Sequence, residues 1–179
     1  MKIIGNKSLL FWVKYPFLIY TVGFVVSSVW ICSLIAYHLI TGRFTSFIID
    51  KSLNGYAYIQ FRYPFTKMVV ATENSTEGML LAFLGVGSVC FMLIYAYRII
   101  RQLSGEHTFT ANVVSDFGIL SIGLITFGIV MLLIDLIVER NEFDFTPPLF
   151  YVVIGFVLLF VREIFAKGKT LQDQSDLTI

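Results

Sequence analysis

The chain has 179 residues, 57% of them hydrophobic and 14% charged, with a formal net charge of +1 at pH 7 and a mean hydropathy of +0.82. Soluble domains carry about a quarter charged residues, so this composition excludes an ordinary water-soluble fold. The near-zero net charge excludes direct recruitment of DNA or RNA by a long-range field.

The apolar residues are concentrated in four stretches without Asp, Glu, Lys or Arg, bounded by Lys14 and Arg43, Glu77 and Arg98, Asp116 and Asp135, and Asp144 and Arg162. They hold about 28, 20, 18 and 17 residues, and roughly 20 apolar residues at 1.5 Å each cross the hydrocarbon of a bilayer. The expected fold is an all-α membrane protein, a bundle of four transmembrane helices with a small extracytoplasmic β-hairpin between helices 1 and 2. The expected organisation is a single membrane domain over residues 1–179, with spans near 15–40, 78–97, 113–138 and 148–165, an outer loop at 41–77 and a cytoplasmic tail at 166–179. The longest segment outside the spans, about 37 residues, is shorter than the ~40 at which domains fold unaided.

The N-terminus carries Lys2, Lys7 and Lys14 as a signal peptide would. The apolar run that follows exceeds a signal's h-region of roughly 7 to 15 residues and closes on no small-x-small site, so span one is expected to be retained. Pro16 is placed near its start, and Tyr15, Tyr20 and Tyr37 where interfacial aromatics belong. Cys32, in this span, and Cys90, in the next, lack a CxxC partner and read as small apolar core residues.

In the loop after span one, Asn54-Gly55 separates the β-prone runs Phe44 to Ile49 and Tyr56 to Tyr63. Both turn residues accept the positive φ of a type I′ turn, so a β-hairpin is expected. Ile59, Phe61 and Tyr63 then share one face, and because an isolated hairpin is marginal in water, that face should rest on the helix ends or on lipid headgroups. Residues 71–76 read as a polar connector into span two, with Asn74-Ser75-Thr76 matching a glycosylation sequon that matters only in a eukaryotic secretory pathway.

Between spans two and three, Arg98 to Asn112 combines a basic helix end, a stop at Gly105 and a fresh start near Thr110 or Asn112, a tight turn. In span three, Gly118, Ser121, Ile125, Gly128, Leu132 and Asp135 fall within roughly a 100° arc. This stripe of small and polar residues makes span three the one expected to be buried among its neighbours. Gly118, Ser121, Gly128 and Asp135 are thus candidates either for a packing seam or for a substrate pathway ending at Asp135, and the seam is the more ordinary use of such a stripe.

Ionisable residues within spans are costly and draw attention to Asp116 and Asp135. Asp116 sits in the first turn of span three, where a carboxylate complements the helix dipole and Arg98 or Arg101 can pair with it. Asp135 lies one turn below Glu139 near the outer interface and reads, with Glu139, Glu142 and Asp144, as a solvated acidic rim; no calcium-loop spacing is present and no metal is assigned. His38 and His107 lack spaced ligand companions, and the chain has neither G-x-S-x-G nor a phosphate-binding loop. No catalytic residue and no cofactor is assigned, and an enzyme is not expected.

Basic residues set the expected threading. Lys2, Lys7, Lys14, Arg98, Arg101, Arg162, Lys167 and Lys169 fall on one side, and Arg43, Lys51, Arg62, Lys67 and Arg140 on the other. Eight against five favours both termini in the cytoplasm of a multi-pass membrane protein. After span four the chain ends on Asp176-Leu177-Thr178-Ile179. A solvated tail has no reason of its own to finish on Leu and Ile, whereas a docking peptide does.

At this ending, Ile164-Phe165-Ala166-Lys167-Gly168-Lys169-Thr170-Leu171-Gln172-Asp173-Gln174-Ser175-Asp176-Leu177-Thr178-Ile179, the chain resembles a family of small bacterial membrane proteins known as domain of unknown function 2975. The matching features are its phenylalanine, glycine, leucine-glutamine and terminal aspartate-leucine-threonine-isoleucine, with Gly105, Phe109 and Asn112 entering span three and the four-span layout in support. Gln172-Asp173-Gln174-Ser175 stands where the family often has an acidic run, which argues against a purely charge-driven role there. Such proteins are often encoded beside a small helix-turn-helix regulator of the Cro/C1 type, so the resemblance implies a membrane partner for that regulator. Gly105, Phe109, Asn112, Asp176, Leu177, Thr178 and Ile179 are the candidate partner-binding residues. The alternative is a small transporter or immunity-type protein using the span-three stripe and Asp135. A lipid-facing scaffold or homo-oligomer is the purely structural reading.

Overall fold

A computed structural model describes residues 8–53, 56–64, 66–105, 109–137 and 145–176. Four helices, α1 (Leu9–Thr41), α2 (Thr76–Leu103), α3 (Ala111–Ile137) and α4 (Thr146–Asp176), enclose between the first two a sheet of β1 (Ile48–Leu53), β2 (Tyr56–Arg62) and β3 (Val69–Glu73). All four helices are long and apolar enough to cross a membrane. Their outer surfaces carry Trp12, Ile19, Ile40, Ile122, Leu136 and Phe160, each more than 60% exposed. In water so extensive an apolar surface would drive association.

Local chemistry sets the helix ends. The Ser8 hydroxyl accepts the Phe11 amide at 3.4 Å to cap α1. At its other end Gly42 takes φ 63°, where a side chain would be strained, and its amide donates to the His38 carbonyl at 2.8 Å. Ser75 caps α2 by accepting the Gly78 amide at 3.0 Å. Glu77 in the first turn and Arg101 in the last complement the α2 dipole. α1 starts at Leu9, earlier than expected, so Pro16 lies inside the helix.

The sheet differs from the expected hairpin by one strand. β1 and β2 pair antiparallel from Ile48 with Phe61 to Leu53 with Tyr56; Asn54 and Gly55, on which the turn expectation rests, lie outside the described residues. β3 adds a third antiparallel strand, pairing Arg62 with Val69 through Tyr58 with Glu73. Residues 71–73 are therefore strand and not connector. Thr72 and Glu73 look like loop residues, but on an edge strand half the side chains face outward and polar residues are at home there.

The shared face of Ile59, Phe61 and Tyr63 rests on helices, as expected. Together with Ile48 it packs on Ile31 and Ile35 of α1 and Met79 and Val86 of α2 in one buried cluster. A second core joins α2, α3 and α4 through Ile99, Val113, Phe117, Leu120 and Leu124, backed by Tyr151, Leu158 and Phe165. α2 belongs to both cores. The helix contacts run α1 to α2, α2 to α3 and α3 to α4, and α1 makes no comparable contact with α3 or α4. The expected bundle is thus open between its first and last helices. α3 is the most buried helix, as its stripe suggested: 39% of its most apolar window is buried, against 6–22% for the other three.

α4 continues through residues expected to form a tail, ending at Asp176. At 31 residues and 1.5 Å per residue it is about 46 Å long, well beyond a hydrocarbon thickness of ~30 Å.

Candidate functional site

Two regions gather the side chains singled out by sequence, one at each end of the helices. The first lies where α2 ends and α3 begins. Ser104 follows α2, its amide donating to the Ile100 carbonyl. Thr110 opens α3 by accepting the Val113 amide on its hydroxyl at 3.3 Å. Gly105 and Phe109 flank residues 106–108, which lie outside the described residues together with His107. The Phe109 ring stands 5.5 Å from that of Phe165, which in turn stands 5.1 Å from Phe117. It also covers Gly168, where an added Cβ would come within 2.6 Å of the ring. The glycine of the C-terminal segment and the phenylalanine of the turn are therefore one packing unit. Asn112 is exposed in the first turn of α3. Asp176 is the last residue of α4, and Leu177, Thr178 and Ile179 lie outside the described residues.

Beside this unit Asp116 is held from two sides. Arg98 meets it through both carboxylate oxygens, at 2.9 Å and 3.2 Å, and the Gln102 amide donates to it at 2.6 Å. The Asp116 side chain is 2% exposed, while that of Arg98 is 52% exposed and lies over the Tyr95 ring. Of the two arginines offered by the sequence, Arg98 forms the pair. Losing the arginine leaves a buried carboxylate held only by Gln102, whereas losing the aspartate frees a cation that solvent already reaches. Arg98→Ala is expected to lower stability by about 2 kcal/mol, and Asp116→Asn by less; thermal unfolding in detergent reads the order directly.

The span-three stripe is divided by the structure. Gly118, Ser121 and Gly128 face α4: a Cβ on Gly128 would lie 2.7 Å from the Pro148 carbonyl, and one on Gly118 would lie 3.1 Å from the Arg162 side chain. Ser121 is fully buried, its hydroxyl donating to the Phe117 carbonyl at 2.5 Å. These three residues form a packing seam.

Asp135 instead lines the second region, a cleft of about 840 Å³ between the two cores. α1 contributes Tyr20 and Phe24, α2 Leu81, Gly85 and Val89, α3 Met131 and Asp135, and α4 Pro147, Pro148 and Tyr151; Tyr63 and the whole of β3 complete the wall. Asp135 is 8% exposed. It is not part of a solvated rim, because the cleft and α4 shelter it; Glu139, Glu142 and Asp144, its expected companions, lie outside the described residues. Among the described residues no group of three or more His, Cys, Asp and Glu converges as a metal site would. Tyr151 shares a hydrogen bond with Ser88 at 2.7 Å, tying α4 to α2 beside the cleft. Burial pushes the Tyr63 phenol above its ordinary range, so it adds no negative charge at neutral pH.

No protein-family model, no curated protein and no solved structure matches the chain. The resemblance drawn from the ending gains no support from these comparisons and loses none.

Sequence reading did not reveal the cleft. Tyr20 and Phe24 lie one turn apart on α1, but Glu73 is on β3 and Tyr151 on α4, and no sequence spacing links the three elements. The remaining isolated candidates lie apart from both regions. His38 is buried with Nδ1 3.0 Å from the Arg43 carbonyl, and its ring packs beside Phe44 and Phe61. Cys32 and Cys90 are free, partly buried thiols on a smaller cavity between α1 and α2.

Proposed function

We propose that the chain is a multi-pass protein of a bacterial cytoplasmic membrane, with both termini inside and the sheet outside. We propose also that it acts by binding, as the membrane partner of a cytoplasmic protein such as a small helix-turn-helix regulator. One observation carries the reading: Phe109 packs onto Gly168 and Phe165. The turn between α2 and α3 and the extension of α4 are thereby presented as one surface at the same end of the helices. Exposed Ile164 and Leu171 lie along that extension, giving a partner apolar contacts beside Lys167 and Asp173. The basic bias of this end, through Arg98, Arg101, Arg162, Lys167 and Lys169, supports its cytoplasmic placement.

The test is co-purification of the full chain with a small helix-turn-helix regulator of the Cro/C1 type. Phe109→Ala and deletion of residues 177–179 are each expected to reduce recovery about tenfold while the protein stays in the membrane at wild-type level. Unchanged recovery with both variants would sink the reading.

A second reading is favoured by the place of Asp135 on the cleft. It makes the chain a small transporter or immunity-type protein that takes a ligand there. Asp135→Asn is then expected to abolish activity in an efflux or toxin-protection assay, and full retention would contradict it.

A further inference from the structure

We infer that the cleft between α1, α2, β3 and α4 is a binding site for a lipophilic organic cation. The inference rests on the second reading, that the cleft takes a ligand, and adds the chemical class.

Three properties of the cleft converge. Its volume of about 840 Å³ falls within the roughly 300–1,000 Å³ of small-molecule sites. Its ionisable lining is one-signed: Glu73 and Asp135 contribute carboxylates, and no Lys, Arg or His is among the described lining residues. Aromatic rings stand among the aliphatic groups of its walls. Phe24 stands 6.2 Å from both Tyr20 and Tyr63, making a run of three rings on one side, and Tyr151 with Pro147 and Pro148 forms the other.

Each property discriminates among ligands. A bare divalent cation demands six or more hard oxygen ligands or a converging His, Cys and carboxylate set, and this lining of rings and aliphatic groups does not replace a hydration shell. An anion meets two carboxylates and no Lys, Arg or His among the described lining residues. A neutral apolar ligand makes no use of the two carboxylates on the lining. A delocalised or quaternary cation satisfies all three features, because aromatic faces attract it, while the carboxylates supply the opposite charge. Entry is lateral, where α1 and α4 leave the helices open to one another. Glu73 and Asp135 also engage groups within the chain; the inference requires only that their charge lies on the cleft.

The experiment uses the full chain in phosphatidylcholine nanodiscs with radiolabelled tetraphenylphosphonium, scored as binding above empty discs. Tetraphenylborate, of the same shape and opposite charge, is run beside it. Saturable binding of the cation alone is expected. Glu73→Gln, at an exposed position, and Asp135→Asn should each weaken it about tenfold, and Phe24→Leu, which keeps bulk and removes the ring, about threefold, in line with one ring's cation–π attraction. Equal saturable binding of cation and anion would leave the cleft a ligand site and overturn the class assigned to it. Saturable binding of neither would overturn the cleft reading itself. Cation binding indifferent to both carboxylate variants would place the site elsewhere and overturn the inference.

Discussion

Gly155→Val is expected to lower the stability of the folded chain by at least about 3 kcal/mol, at the upper end of what overpacking costs. Gly155 brings α4 close against α3. A Cβ added there would stand 2.5 Å from Ile125 Cγ1, 2.9 Å from the Ser121 carbonyl and 3.2 Å from the Ile125 amide. Two of those atoms are backbone, so no side-chain rotation relieves the clash. The helices must separate, and with them the contacts of Leu158, Val161 and Phe165 in the second core. Close approach at small residues is how helices associate when apolar surface alone gives no preference for protein over lipid. Gly23→Ala is the matched control, since nothing lies within 4 Å of its added methyl and the helix gains up to about 1 kcal/mol of propensity. The two substitutions should shift the unfolding temperature in detergent in opposite directions. A neutral Gly155→Val would show that α3 and α4 do not pack as described.

Phe61→Ala is expected to cost about 4 kcal/mol, within the range for removing a fully buried phenylalanine from a core. Phe61 is 0% exposed and pairs across the sheet with Ile48, which is 1% exposed. The cluster continues to Ile31 and Ile35 of α1 and Met79 and Val86 of α2. The sheet and the first two helices therefore share one core, and a cavity at Phe61 weakens all three. Phe150→Ala, at a ring 62% exposed on α4, should leave the unfolding temperature within about a degree, as surface substitutions usually lie within roughly ±0.5 kcal/mol. If Phe61→Ala behaved like Phe150→Ala, the sheet would be an appendage and not part of the core.

The four helices were legible because their signal is compositional. Charges bound each apolar run, and length alone distinguishes a spanning helix from a core strand. Helix ends were less legible: α1 and α4 overrun their apolar stretches at Lys14 and Arg162, since caps such as Ser8 and the packing of Phe109 on Gly168 carry the helix past the hydrophobic segment. Two strands are legible as the β-prone runs on either side of Asn54-Gly55. The third was hidden because an edge strand needs only half its side chains apolar. The stripe on span three was visible by angle, but angle does not say which neighbour a stripe meets. Gly118, Ser121 and Gly128 turn to α4, and Asp135 opens onto the cleft. That cleft is assembled from residues as far apart as Tyr20 and Tyr151, and only the tertiary arrangement joins them.

The central claim is that the end holding Phe109, Gly168 and Asp176 faces the cytoplasm while the sheet lies outside. Single cysteines at Lys67 and Lys169, in a chain with Cys32 and Cys90 replaced by alanine, test it with a membrane-impermeant maleimide on intact cells. Labelling of Lys67→Cys in intact cells, with Lys169→Cys labelled only after permeabilisation, is the predicted result. The reverse pattern, or labelling of both positions from the same side, would contradict it.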